Sequence, residues 1–275
     1  MRFSVLDSLA AAIDAAGSVQ FYPLMCAYLR ECLEFDNVIV VIFVGSNVPH
    51  IAHTRHYGPD VFRFVDEQYL SGAYLLDPVY HFHLRRGDAG LYRLLDVAPD
   101  QFRSSRYYKW YYGRIGISDE ISVILPVSRN ATITISMGKD SSSGTTFSQK
   151  AEEGLRKHRS VIMAVLRTHW NALDAPHLNI PRATSLADSL RQELRSNHGV
   201  SISTRQAEVA LLILQGHSSP SIGLQLGVST ETVKVFRKQL YSRCGICSQA
   251  ELFNLLMPML GNANVRKEAI ELTGG

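Results

Sequence analysis

The sequence predicts two domains of different class: an α+β N-terminal domain, with an antiparallel sheet flanked by helices, and an all-α C-terminal domain of four helices. Three observations predict this. Residues 38–57 and 120–137 carry the β-branched density and two-residue alternation of paired strands, with helical periods on either side. After residue 185 the strand signal ends and only helical periods remain. Between these stretches, Asp174 to Thr184 holds two prolines and no apolar period, which is the composition of a linker. The expected boundaries are 1–173, a linker with a short helix over 174–200, and 201–275.

In chain order, Leu6, Leu9, Ala10 and Ile13 recur at helical spacing, and Gly17 is placed to stop that helix. Ser18 can cap a second helix carrying Phe21, Leu24, Met25, Tyr28, Leu29 and Leu33. Val38–Val44 is a strand, Ser46–Pro49 a turn, and Ile51–Tyr57 the returning partner. Pro59 can start a helix whose apolar surface is Val61, Phe62, Phe64, Val65 and Tyr69. Asp77-Pro78 reads as another helix start, because Asp caps and the missing N–H of Pro costs nothing in a first turn. Residues 87–104 are mixed, and Tyr107, Tyr108, Trp110, Tyr111 and Tyr112 crowd the segment that follows. In the second hairpin Ile121, Val123, Leu125 and Val127 should oppose Ile133, Ile135 and Met137. Ser148 caps a long helix with Leu155, Ile162, Leu166 and Leu173 as one stripe. The element order is that of GAF/PAS-like sensor domains and of the signal-binding half of quorum-sensing regulators.

With 275 residues, 46% hydrophobic and 19% charged, the chain has material for two cores, and its net charge of +3 permits a nucleic-acid partner. No apolar run reaches the ~18–20 residues of a membrane span, and the N-terminus is unlike a signal peptide, so the expected location is cytoplasmic with no membrane partner. Cys26, Cys32, Cys244 and Cys247 read as small core residues rather than a disulfide framework. No nucleophile elbow, phosphate loop or metalloprotease motif is present, so no catalytic residue and no cofactor are expected. His50, His53 and His56 on a strand would alternate faces, so no metal site is expected either.

The C-terminal stretch carries the chemistry. Ser203 and Gln206 make a capping box for a helix that Gly216 ends. Ser219-Pro220 opens a short helix over 221–226, Gly227-Val228-Ser229 turns, and Ser229 caps a longer helix from Thr230 to about Arg243. A short helix, a glycine turn and a longer helix form a helix-turn-helix. In the longer helix Val233, Leu240 and Cys244 share an apolar side, while Glu231, Lys234, Val235 and Lys238 lie opposite, with Arg237 flanking. Lys234, Arg237, Lys238 and Arg243 stand against Glu231 alone among the acids, which suits docking in the major groove of double-stranded DNA.

Residues 203–252 resemble the LuxR-type DNA-binding domain, through Thr204–Val209, Gly216, Ile222, Leu226–Ser229, Thr232–Lys234, Gly245 and Ser248–Leu252. The resemblance implies that Lys234, Val235 and Lys238 reach base edges, that Thr232, Arg237 and Arg243 lie near phosphates, and that the last helix pairs two protomers. Thr230 belongs to the same DNA-binding set. RNA polymerase is a further partner such a regulator can meet. The sequence departs from the family pattern at Phe236, Pro220 and Gln206, where His, Lys and Glu are common.

A second resemblance, to acyl-homoserine-lactone receptors, rests on Asp77-Pro78-Val79 and on Tyr112–Glu120. Phe64 stands where those receptors have Trp, and Gln68-Tyr69 cover their Tyr position, so a receptor of the same build for another small organic molecule is expected. The expected ligand-binding residues are Phe64, Tyr69, Tyr74, Asp77, Tyr108 and Trp110, in a pocket between sheet and helices. The rival readings are a regulator for an acyl-homoserine lactone and a protein-interaction module with a degenerate helix-turn-helix.

Overall fold

The computed structural model describes residues 4–173 and 185–260, so the linker expected over 174–184 lies outside the described residues. The chain opens with α1 (Val5–Asp14), held by a capping box between Ser4 and Asp7, and α2 (Phe21–Cys32). Then come β1 (Asn37–Val44), β2 (His50–His56), α3 (Pro78–Leu84), β3 (Gly90–Arg93), α4 (Leu94–Val97), α5 (Arg106–Trp110) and α6 (Tyr112–Ile115). They are followed by β4 (Asp119–Pro126), β5 (Ala131–Lys139), α7 (Gln149–Arg156) and α8 (Arg159–Ala172). The C-terminal helices are α9 (Leu186–His198), α10 (Thr204–Gln215), α11 (Ser219–Leu226), α12 (Thr230–Cys244) and α13 (249–260).

These elements gather into two compact units. Among the described residues, one comprises 4–63, 82–96 and 116–173, the other 64–81, 97–115 and 185–260. The first unit is the α+β sheet domain. Its five strands run in the order β2-β1-β5-β4-β3, each pair antiparallel. The register places Ile121 opposite Met137, Val123 opposite Ile135 and Leu125 opposite Ile133, as the alternation predicts. Val38 and Val40 extend the same rows on β1. This face packs against Phe21, Met25 and Leu29 of α2 and Leu155, Ile162 and Leu166 of α7 and α8, all essentially inaccessible to solvent. Each such side chain stabilises the fold by ~1.5–3 kcal/mol relative to exposure.

Several expectations are corrected. The helix expected from Pro59 does not form: the Asp60 carboxylate accepts from the Phe62 amide at 3.0 Å and stabilises a local turn. A π-helical turn over Val65–Leu70 and a 3-10 turn over Ala73–Leu76 follow instead. Ser18 does not cap α2, because its hydroxyl donates back to the Ala15 carbonyl. The long helix after Ser148 is two helices. Gly154 weakens the end of α7, and His158 at the break bonds the Tyr28 hydroxyl through Nδ1 at 2.8 Å. Leu173 falls outside the buried stripe and is exposed. The edge strand β3, four residues long, emerges from the segment read only as mixed. Among the cysteines, Cys26 is buried but Cys247 is exposed, contrary to its reading as a core residue, and all four are free thiols.

Candidate nucleic-acid interface

The second unit holds the helix-turn-helix. The Ser203 hydroxyl accepts from the Gln206 amide at 3.2 Å, and the Gln206 side-chain oxygen accepts from the Ser203 amide at 3.0 Å, fixing the start of α10. Gln206 is buried, and its side-chain amide donates to Gln239 of α12 at 2.9 Å, so the cap also ties two helices together. Ser218 caps α11 with Pro220 in the first turn. Gly227 adopts φ 66°, the left-handed conformation that lets the chain reverse within the motif. The Ser229 hydroxyl then accepts from the Thr232 amide at 3.1 Å and starts α12.

Val233 and Leu240 of α12 are wholly buried, together with Val209, Ile213 and Ile222 of the two preceding helices. The opposite face is open: Lys234, Val235, Arg237 and Lys238 are all exposed, Val235 by 52%. Lys234 donates to Glu231 at 2.7 Å, but both side chains are more than half exposed, so the pair is weak and yields readily to a phosphate or base. Thr230 and Thr232 are half-buried in the first turn, with the Thr232 hydroxyl 2.8 Å from that of Ser229. Arg243 turns aside and donates to the Ser201 carbonyl at 2.7 Å. Lys234, Arg237, Lys238 and Thr230 line a cleft of about 780 Å³ with residues that sequence reasoning missed, among them His217, Ser218 and Tyr241. Serine immediately before Ser219-Pro220 was the available signal, since an N-cap brings backbone amides to the surface.

The expected ligand residues also lie in this unit. Tyr69, Tyr74 and Asp77 come together. The Tyr69 hydroxyl donates to Asp77 Oδ2 at 2.7 Å, the Val79 amide donates to Oδ1 at 2.7 Å, and the Tyr69 and Tyr74 rings lie 6.2 Å apart. Burial pushes the Asp77 carboxyl above its ordinary range, opposed by the hydrogen bonds it accepts. Tyr80 and Tyr111 join the cluster, Tyr80 edge-on to Tyr74 at 5.0 Å and Tyr111 stacked on Tyr69 at 5.7 Å. The other three expected residues have different neighbours. Phe64 lies under the Arg114 guanidinium at 4.5 Å, Tyr108 packs on Phe102 and Tyr112, and Trp110 meets Phe253 of α13 at 5.7 Å. Among the described residues, no helix is long and apolar enough to cross a membrane, and no three His, Cys, Asp or Glu side chains gather as a metal site.

Residues 200–256 match the family model described as bacterial regulatory proteins, luxR family. The chain is 31% identical over 180 residues to a protein named as an HTH-type transcriptional regulator in the exeN 3′ region of Aeromonas salmonicida, covering 64% of this chain and 91% of that one. Among solved structures, the VqsR LBD domain from Pseudomonas aeruginosa shares the fold at a TM-score of 0.52 and 22% identity, covering 62% of this chain and 96% of that domain. Escherichia coli SdiA superposes more loosely, at a TM-score of 0.43 and 14% identity, over 91% of this chain and 94% of its own.

Proposed function

The chain belongs to the luxR family of bacterial HTH-type transcriptional regulators, and from that premise we propose a cytoplasmic, ligand-responsive regulator that binds a promoter site as a dimer. It is not an enzyme. The observation that carries the DNA assignment is the two-sided construction of α12, with Val233 and Leu240 fully buried beneath an exposed Lys234, Val235, Arg237 and Lys238. Lys234 and Lys238 donate to base edges, the exposed Val235 meets a thymine methyl, and Arg237 with the first-turn Thr230 and Thr232 meets the phosphate backbone. Arg243 contributes by holding the approach to α10. RNA polymerase is the partner through which such a bound regulator acts on transcription.

Residues 1–173 form the sensor, 174–200 the linker and 201–275 the DNA-binding domain. The ligand is an organic molecule that donates hydrogen bonds or carries an amine, engaging Asp77 and the rings of Tyr69 and Tyr74. Phe64, Tyr108 and Trp110 act as flanking aromatic residues. Ligand contact shifts the equilibrium between packings of the sensor and so changes the presentation of two recognition helices.

The test is an anisotropy titration of promoter DNA with wild type and with Lys234→Ala/Lys238→Ala. Loss of two base contacts weakens specific binding by about 2–6 kcal/mol, at ~1–3 kcal/mol per contact. Unchanged sequence-specific affinity in the double variant refutes the role of α12.

A further inference from the structure

Residues 97–115 sit in the same compact unit as the helix-turn-helix and touch it at the head of α11. Asp100 Oδ1 accepts from the Ser218 amide at the head of α11, at 2.9 Å. The next residue, Gln101, donates its amide to the Gly216 carbonyl at 2.9 Å, and its side chain lines the cleft with Lys234, Arg237 and Lys238. The approach is close: a Cβ on Gly216 would lie 2.9 Å from the Phe102 Cα, and Gly216 has φ 101°. Glycine there serves both the end of α10 and the docking of this segment. At the far end of the stretch Trp110 meets Phe253, so the segment is fastened at both ends. Helix N-termini in DNA-binding proteins donate to backbone phosphates through amides of this kind.

We infer that residues 99–102 are an internal competitor of DNA, in which the Asp100 carboxylate takes the place of a backbone phosphate on the Ser218 amide. The inference rests on the DNA-binding reading of α12. Burial alone would raise the Asp100 carboxyl, but the Ser218 hydroxyl and amide outweigh it and hold the group below the ordinary range, so it stays anionic. DNA and the segment cannot occupy the head of α11 together, and binding requires the segment to leave. Tyr111, on the same stretch, stacks on Tyr69, whose hydroxyl bonds Asp77. A ligand at that pair therefore has a direct mechanical route to the segment.

The experiment uses the full chain and a labelled duplex of mixed sequence at low salt, because phosphate contacts do not depend on sequence. Four proteins are titrated: wild type, Asp100→Ala, Asp66→Ala and Lys234→Ala/Lys238→Ala. Asp66→Ala removes an equal charge at an exposed position of the turn over Val65–Leu70. Asp100→Ala should bind about three- to tenfold tighter than wild type, the worth of one hydrogen bond to a charged group at an exposed site, while Asp66→Ala should not. Equal affinity for Asp100→Ala and wild type, with the lysine variant weakened, overturns the competitor and leaves the DNA reading standing. Equal gains from both aspartate variants overturn it as a general charge effect. Absence of binding by all four removes the DNA reading and the competitor with it. Hydrogen exchange supplies a second measurement in unsubstituted protein. Adding duplex should speed exchange in the peptide containing Gln101, and slower exchange there refutes the competition.

Discussion

Three buried polar side chains set residue-scale expectations. Gln206 holds two partners that a glutamate could not, since its side-chain amide donates to Gln239 while its oxygen accepts from Ser203. Glu is common at this position in the resembling family, yet here Gln206→Glu should lower stability by about 1–2 kcal/mol, because it sets a carboxylate against the Gln239 oxygen. A urea titration of both proteins checks this. Asp77 accepts from the Tyr69 hydroxyl and from the Val79 amide, so Asp77→Ala strands two buried donors. The expected loss is about 2–4 kcal/mol, read from the urea midpoint. His169 is buried and stacked on Phe21 at 3.8 Å, and its Nδ1 accepts from the Gly17 amide at 3.0 Å. Burial lowers its pKa to about 4. The folded state therefore binds the proton less readily than the unfolded chain, whose imidazole titrates near ~6.5. The stabilising contribution is whole above that unfolded value and declines as pH falls from there towards about 4. Urea midpoints measured between neutral and acid pH should fall for wild type and fall less for His169→Phe.

At the scale of elements, Arg93 joins an edge strand to a helix. Its guanidinium donates to Glu152 at 2.7 Å, to Asp119 at 3.0 Å and to the Phe147 carbonyl at 2.7 Å, linking β3, β4 and the start of α7. Three acceptors met by three different nitrogens suit a guanidinium and not an ammonium. Arg93→Lys should therefore cost most of what Arg93→Ala costs, about 1–3 kcal/mol by chemical denaturation.

Elements whose information is local were legible in the sequence. The serine caps at 148, 203 and 229, the Gly227 turn and the cross-strand pairs of β4 and β5 all stand where alternation and cap chemistry put them. Elements decided by distant partners were not. Tyr28 draws His158 into the break between α7 and α8, and β3 owes its existence to the neighbouring β4 rather than to its own four residues. At the candidate sites the same division holds. Periodicity exposed the basic face of α12, whereas the partners of Trp110 and Asp100 lie more than a hundred residues away and left no local trace.

For the whole molecule, the grouping of residues 64–81 and 97–115 with 185–260 bears on how DNA affinity should depend on salt. In wild type one phosphate position at α11 is held by a carboxylate. DNA takes that position in both proteins, displacing the carboxylate in wild type, so Asp100→Ala should raise affinity while keeping the wild-type slope of log affinity against log salt, measured by anisotropy over a range of sodium chloride. Lys234→Ala/Lys238→Ala should keep a shallower slope than wild type in the same series.

The discontinuity of that unit also bears on the order in which it is made. Its earliest strand of chain, 64–81, and its docking stretch, 97–115, leave the ribosome well before α10 to α13 exist. Local helices form quickly, but closure across so long a separation is slow, so joining 97–115 to 204–260 limits refolding of the whole chain. During synthesis the docking stretch is already waiting when the helix-turn-helix emerges. The newborn protein meets its own segment before it meets any DNA.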